Sequence, residues 1–242
     1  MAQSKRLPHA VPYEPHVGES RPYMRDIILG VNDGLVSIFL LIAGVVGGGL
    51  TREQIVLAAI AGGIAGAISM AAGEYLATRS QEEVFEREIQ LEREHIEHHR
   101  NSEVDQLYAM FADIGVAEED LDGVVSAFSR DDDILLNSMK VLEFGIVDTE
   151  RRSPYTAMVL SGLLFLAGAL PPTLPFLFGI SIEASLTISA LLTAVGLFAV
   201  GAAKTVITRT HPVRSGLENL VIAGIGGFIA FYIGTLVEGA LG

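Results

Sequence analysis

Long apolar runs alternate with short polar joints along most of this chain, and one charged stretch interrupts them. The runs fall at about Ile27–Gly49, from Gln54 through Gly73-Glu74-Tyr75, and at Tyr155–Phe178, Ile182–Val206 and Gly216–Leu241. Each has the length of roughly 20 residues that a helix rising 1.5 Å per residue needs to cross the hydrocarbon of a bilayer. The pattern predicts an all-α, polytopic membrane protein with five transmembrane helices. Thr51 is placed to cap the second helix, and Pro171, Pro172 and Pro175 to kink or end the third.

The charged stretch follows the second run without a break signal. No Pro occurs from Glu53 to Arg152, and no Gly between Gly73 and Gly115. The second helix is therefore expected to leave the membrane and continue to about Arg100, projecting roughly 30–35 Å. A short helical bundle follows, near 102–114, 117–129 and 132–144, with stops at Asp113-Ile114-Gly115 and Ser129-Arg130-Asp131. Four regions result: a flexible tail at 1–24, two spans at 25–78, an acidic helical insert at 79–152, and three spans at 153–242.

Charge sharpens this division. The net charge of −13 sits almost wholly in the insert, where twenty Asp/Glu face eight Lys/Arg. Such a surface repels nucleic acid and attracts cations, although a merely solvated acidic face has the same composition. With the N-terminus in the cytosol, fifteen of the sixteen Lys/Arg lie on the cytoplasmic side and only Arg52 does not. The positive-inside rule thus gives five spans with the tail, the insert and the basic 204–214 loop cytoplasmic. The tail is polar and Pro-rich, without the apolar core of a secretory signal. The chain has no Cys, so disulfides and thiolate metal sites are excluded. An odd number of spans and Gly-rich helices, with Gly62 and Gly66 four apart, suit a homodimer.

Several residues are out of place unless they carry chemistry. Asp33 is an acid inside an apolar run, at a cost on the order of 2.5–3.5 kcal/mol on insertion scales. Asp26 is seven residues earlier, on the same helix face and about 10.5 Å away along the axis. Met70 and Glu74 are neighbours one turn apart on the second helix. A thioether beside carboxylates fits a transition metal better than Mg2+ or Ca2+. The bland readings are a favourable helix N-terminal charge for Asp26, a structural hydrogen bond for Asp33, and packing for Met70.

In the insert, Glu88, Glu92, His95 and His99 form one stripe, followed by Glu103 and, one turn apart, Met139 and Glu143. Carboxylate and imidazole suit Fe2+, Mn2+ or Zn2+, while an exposed charged face is the alternative. His9 and His16 in the tail are surface histidines on this reading. His95-Ile96-Glu97-His98-His99 matches neither zinc-protease spacing, and no phosphate loop or nucleophile–base set is present, so no enzyme is expected.

Asp26-x6-Asp33-Gly34-Leu35-Val36-Ser37, then Ala67-Ile68-Ser69-Met70-Ala71-Ala72-Gly73-Glu74-Tyr75, then an acidic insert before three more spans, resembles the vacuolar iron transporter family and its nodulin-like relatives. The likeness covers about residues 22–242. It implies a homodimer that moves Fe2+, sometimes Mn2+, out of the cytosol in exchange for protons, with no bound cofactor. Asp26, Asp33 and Met70 match positions lining the path, and Glu92, Glu103, Met139 and Glu143 match metal ligands of the insert. His95 and Gln106 stand where further Glu residues are expected, Lys140 where a second Met is, and Gly62 where some members carry a pathway acid. A manganese-selective exporter of the same build, or a membrane-anchored metal buffer or sensor, are the rival expectations. The membrane of residence would be the cell membrane in a prokaryote and the vacuolar membrane in a eukaryote.

Overall fold

A computed structural model describes residues 21–145, 152–208 and 212–241. His9, His16 and the centre of the basic loop lie outside the described residues. Among the described residues seven α-helices follow one another: α1 Arg21–Gly47, α2 Arg52–Ile114, α3 Glu118–Phe128, α4 Asp132–Leu142, α5 Pro154–Thr173, α6 Ile182–Thr208 and α7 Pro212–Leu241. Five are long and apolar enough to cross a membrane, namely α1, α2, α5, α6 and α7. No strand occurs among the described residues.

Local chemistry sets the boundaries. Thr51 and Gln54 form a reciprocal capping box that starts α2, satisfying two amide donors the helix would leave orphaned. The Ser153 side chain caps α5, and Pro154 follows at its first position. At the other end Pro171 and Pro172 bring α5 to a close at Thr173, and the chain tightens into a 3-10 turn at Leu174–Leu177. These prolines cannot donate to the carbonyls one turn back, so the α-pattern stops there.

The helix α2 has 63 residues but is not one straight rod. His99 leaves helical geometry at φ −135°, ψ 32°, so the first limb ends where the sequence places the end of the projecting helix. The second limb stops at Gly115, whose φ of 103° needs a residue without Cβ. Beyond the membrane part, the limbs of α2 enclose a small core with α3 and α4, built on Ile96, Leu107, Phe111, Val125, Leu135, Leu136 and Met139. Arg100, just past the break, binds Asp132 at 2.8 Å and the Ser129 carbonyl at 2.5 Å, tying the second limb to the start of α4.

In the membrane part α1 is the hub, packing on α5, α7, α2 and α6, while α2 lies along α5. Glycine makes the α1–α5 contact close. A Cβ on Gly34 would stand 2.1 Å from the Phe165 carbonyl oxygen, and one on Gly168 would stand 2.3 Å from that of Val31. Without a hydrophobic drive between helices in lipid, such intimate backbone packing is a main source of association. Large apolar residues such as Leu57, Ile64, Val221 and Phe228 point outward, as expected where lipid tails are the neighbours.

Gly34→Ala is expected to destabilise the protein by about 1–3 kcal/mol, the usual cost of overpacking, because backbone rather than a flexible side chain blocks the added methyl. Gly224→Ala, with nothing within 4 Å, should leave stability unchanged or slightly raise it. Thermal unfolding of both variants in detergent checks the contrast.

Candidate functional site

Two groups of polar residues stand out, one in the membrane part and one in the insert. The first lies along the seam of α1 and α2. A groove of about 530 Å3 is lined by Asp33, Ser37, Met70 and Glu74, together with Gly62, Gly66, Ser69 and Phe165. Asp33 and Ser37 are one turn apart on α1, and the Ser37 hydroxyl donates to Asp33 Oδ1 at 2.7 Å. Met70 and Glu74 face the same space from α2. No basic side chain pairs with Asp33 among the described residues. Three of the four membrane candidates thus come together around one cavity, with a thioether and two carboxylates as donors.

Asp26 does not line this groove. It is fully buried at the end of α1 that faces the insert, and its Oδ1 lies 2.5 Å from Nη1 of Arg152. The same guanidinium nitrogen stands 3.1 Å from Glu74 Oε1, and Nη2 lies 3.5 Å from the Thr78 hydroxyl. Arg152 immediately precedes the cap of α5, so three elements meet at this ion cluster. Among the described residues Asp26 Oδ2 has no hydrogen-bond partner, and Glu74 Oε1 faces Arg152 without hydrogen-bond alignment. Glu74 is common to the cluster and the groove. The sequence reading used Arg152 only as the edge of the insert. The signal available was a base directly before the Ser153-Pro154 start of a span, where its reach falls back onto the membrane mouth.

The second group is in the insert, beyond the apolar part of α2. Glu92, His95 and Glu103 each offer a ligand atom, and these atoms lie within 4.8 Å of one another. The break at His99 makes this possible. In an unbroken helix Glu92 and Glu103 would be about 16.5 Å apart along the axis. His95 Nδ1 lies 3.5 Å from Glu103 Oε1 and 3.9 Å from Glu92 Oε2. Both carboxylates are buried, and among the described residues Glu92 Oε1 and Glu103 Oε2 have no hydrogen-bond partner.

The remaining insert candidates are spread around this trio. Glu143 is exposed just past α4, yet close enough for its charge to act on Glu92. Met139 is fully buried in the insert core. Glu88 is half-buried one turn before Glu92, outside the trio, and His99 is exposed at the break itself. Gln106 and Lys140 are half-buried.

Burial, then the charges of Glu103 and Glu143, push the Glu92 carboxyl up to about 7. Loss of water around the carboxylate disfavours its charged form, and the neighbouring like charges add to that. A divalent ion between them would reverse the sign of that interaction, and carboxylate plus imidazole is a donor set for Fe2+, Mn2+ or Zn2+.

Membrane helices closing on a carboxylate–thioether groove, with a second acidic donor cluster on a stalk, define a multi-span membrane protein carrying side chains of the kinds that can hold a metal ion. The chain belongs to the VIT family, whose model matches residues 24–235. It is 30% identical over 215 residues to "Vacuolar iron transporter 1" of Arabidopsis thaliana, covering 89% of this chain and 86% of that one. The figures for "Vacuolar iron transporter 2" of Oryza sativa subsp. japonica are 30%, 89% and 87%. "Vacuolar iron transporter" of Toxoplasma gondii is 25% identical over 238 residues, covering 95% of this chain and 79% of that one.

The raised carboxyl sets a pH dependence for the insert. Below about 7 Glu92 holds a proton that metal must displace, so affinity should climb roughly tenfold per pH unit there and flatten above it. Glu92→Gln should lose the slope together with most of the affinity. Without metal the sign is opposite. The folded-state carboxyl lies above its ordinary value, so its contribution to stability is fully present below about 4.5 and is lost as pH rises through about 7. Mn2+ titration of the full chain at several pH values, with parallel unfolding curves, reads both.

Proposed function

We propose that this protein is a transporter of a divalent transition metal, with Fe2+ as the principal cargo and Mn2+ as a second. On this reading it exports the ion from the cytosol in exchange for protons. The observation that carries it is the shared groove of Asp33, Met70 and Glu74, in which Asp33, half-buried and without a basic partner among the described residues, faces open space beside a thioether. An acid at membrane depth is tolerated where it pairs, or where a cation or proton takes turns on it. Thioether with carboxylate selects the later first-row metals over Mg2+ and Ca2+. The names of the relatives support iron as the metal.

Orientation follows from the bases: the insert, the tail and the 204–214 loop face the cytosol. The Glu92–His95–Glu103 trio then collects the ion, with Glu88, Met139 and Glu143 as neighbouring donors. Asp26 and Glu74 stand at the mouth, and Asp33 and Met70 lie deeper. When the metal leaves, protons take its place on the same carboxylates. Metal and proton thus use one set of oxygens in opposite directions, which is sufficient for antiport.

The groove is a cleft on one subunit rather than a closed pore, and Gly62 and Gly66 of α2 lie on its wall. A second copy facing it across α1 and α2 would complete the passage, giving a homodimer with a two-fold pathway. No resident cofactor is needed, since the metal is cargo. The protein is integral to the membrane, the vacuolar one if its cell is of the kind its named relatives come from.

Asp33→Ala in proteoliposomes should lower Fe2+-driven proton flux by at least about tenfold, since a single charged ligand of a desolvated site contributes more than the 1.4 kcal/mol that tenfold represents. Wild-type flux from that variant would end this reading.

A further inference from the structure

The Arg152 cluster has a feature that a plain structural ion pair lacks: its charges do not balance. Two carboxylates, Asp26 and Glu74, share one guanidinium. Asp26 is fully buried and Arg152 only 12% exposed by its side chain, so solvent does little to dilute the excess negative charge. Among the described residues Asp26 Oδ2 has no hydrogen-bond donor in this enclosed place, and the Glu74 carboxyl stands against Asp26. Buried ions are costly unless paired and hydrogen-bonded, so an unfilled carboxylate oxygen here marks a position short of one positive charge.

We infer that Arg152 is a tethered competitor for the metal path: its guanidinium holds the Asp26–Glu74 pair while no ion is there, and a divalent cation must displace it to reach the groove. Charge counting makes the two occupants exclusive. With Arg152 the ionised pair carries −1. With a divalent ion instead it carries zero. With both present it would carry +1 in a nearly dry site. A monovalent ion in place of Arg152 leaves the charge at −1 and gives up the charge-assisted hydrogen bond to Asp26, so it gains nothing. Arg152 therefore acts as a filter against the K+ and Na+ that far outnumber transition metals in any cell. Because Glu74 belongs to both the cluster and the groove, the released carboxylate is already at the next station. Arg152 is a specificity-determining residue on this account, not a metal ligand.

The inference rests on the groove being the metal path. It is tested first on the unaltered protein. Phenylglyoxal labels accessible guanidinium groups, and mass spectrometry locates the label. Arg152 should be shielded without metal and become reactive as Mn2+ is raised to saturation. Continued shielding in saturating Mn2+ overturns the inference. The second test is transport in proteoliposomes. Arg152→Gln should lower the KM for Fe2+ by about tenfold and make flux sensitive to roughly 0.1 M K+, an ionic strength at which only close charges still interact. Arg152→Lys, which keeps the charge, should remain insensitive to K+. A purely structural staple predicts less folded protein with an unchanged KM and no K+ effect, and that result also overturns the inference. The two failures are distinguishable. Normal transport by Asp33→Ala removes the path itself, whereas a path that needs Asp33 but ignores Arg152 removes only this proposal.

Discussion

A carboxylate taken out of water must be neutralised, and the membrane part of this protein is arranged around that requirement. Three acids lie on the facing parts of α1 and α2, and each meets the requirement differently. Asp26, fully buried, is held by Arg152. Glu74 shares that guanidinium while opening onto the groove. Asp33 has a hydroxyl donor in Ser37 and an open cavity in front of it. The series runs from compensated to uncompensated along α1, away from the insert. Compensation by a tethered group fades as distance from the start of α5 grows, and Asp33 is left with a hydroxyl donor and the open groove.

The backbone frame allows these acids to stand so close to the helix axes. Gly34 is the residue after Asp33, and it gives its side of α1 to the Phe165–Ala169 backbone of α5. With that contact fixed, Asp33 turns toward α2. Gly62 and Gly66 in turn leave room on α2 where larger side chains would meet Leu41 and Phe165. Removing side chains from one face of each helix is thus what gives the neighbouring face its cavity. Packing and chemistry share the same few turns, so a change to either disturbs the other.

Much of this was readable from residue order. Five spans, the long second helix and the helices of the insert follow from apolar run length, the absence of Pro and Gly, and turn residues such as Gly115 and Asp131. The pairing of Asp33 with Met70 and Glu74 around one space follows from helical spacing and from α1 and α2 being joined by a short turn. Two things were not readable. Helical periodicity shows that Glu92 and His95 share a face, but it places Glu103 far along the axis. Only the angle at His99 brings Glu103 back, and a single backbone dihedral leaves no mark in composition. Arg152 is 126 residues from Asp26 and 78 from Glu74 in sequence, with no periodic relation to either. Long-range ion pairs of this sort are set by how the spans fold back on each other.

The two acidic places differ in a way that suits passing an ion from one to the other. In the insert the charges of Glu103 and Glu143 both act against ionisation of Glu92, and His95 stands between the two buried carboxylates. Repulsion present before binding is relieved by binding, which strengthens capture. At the membrane mouth the Asp26–Glu74 pair already has Arg152, so an arriving metal exchanges one neutralising partner for another and gains less. A carrier needs both: a site avid enough to collect a scarce ion, then one whose grip is moderated so that the ion can leave. Adding unopposed carboxylates at the mouth would strengthen binding and halt passage. On the competitor proposal a resident guanidinium, returning as the metal departs, keeps that grip moderate without giving up the carboxylates.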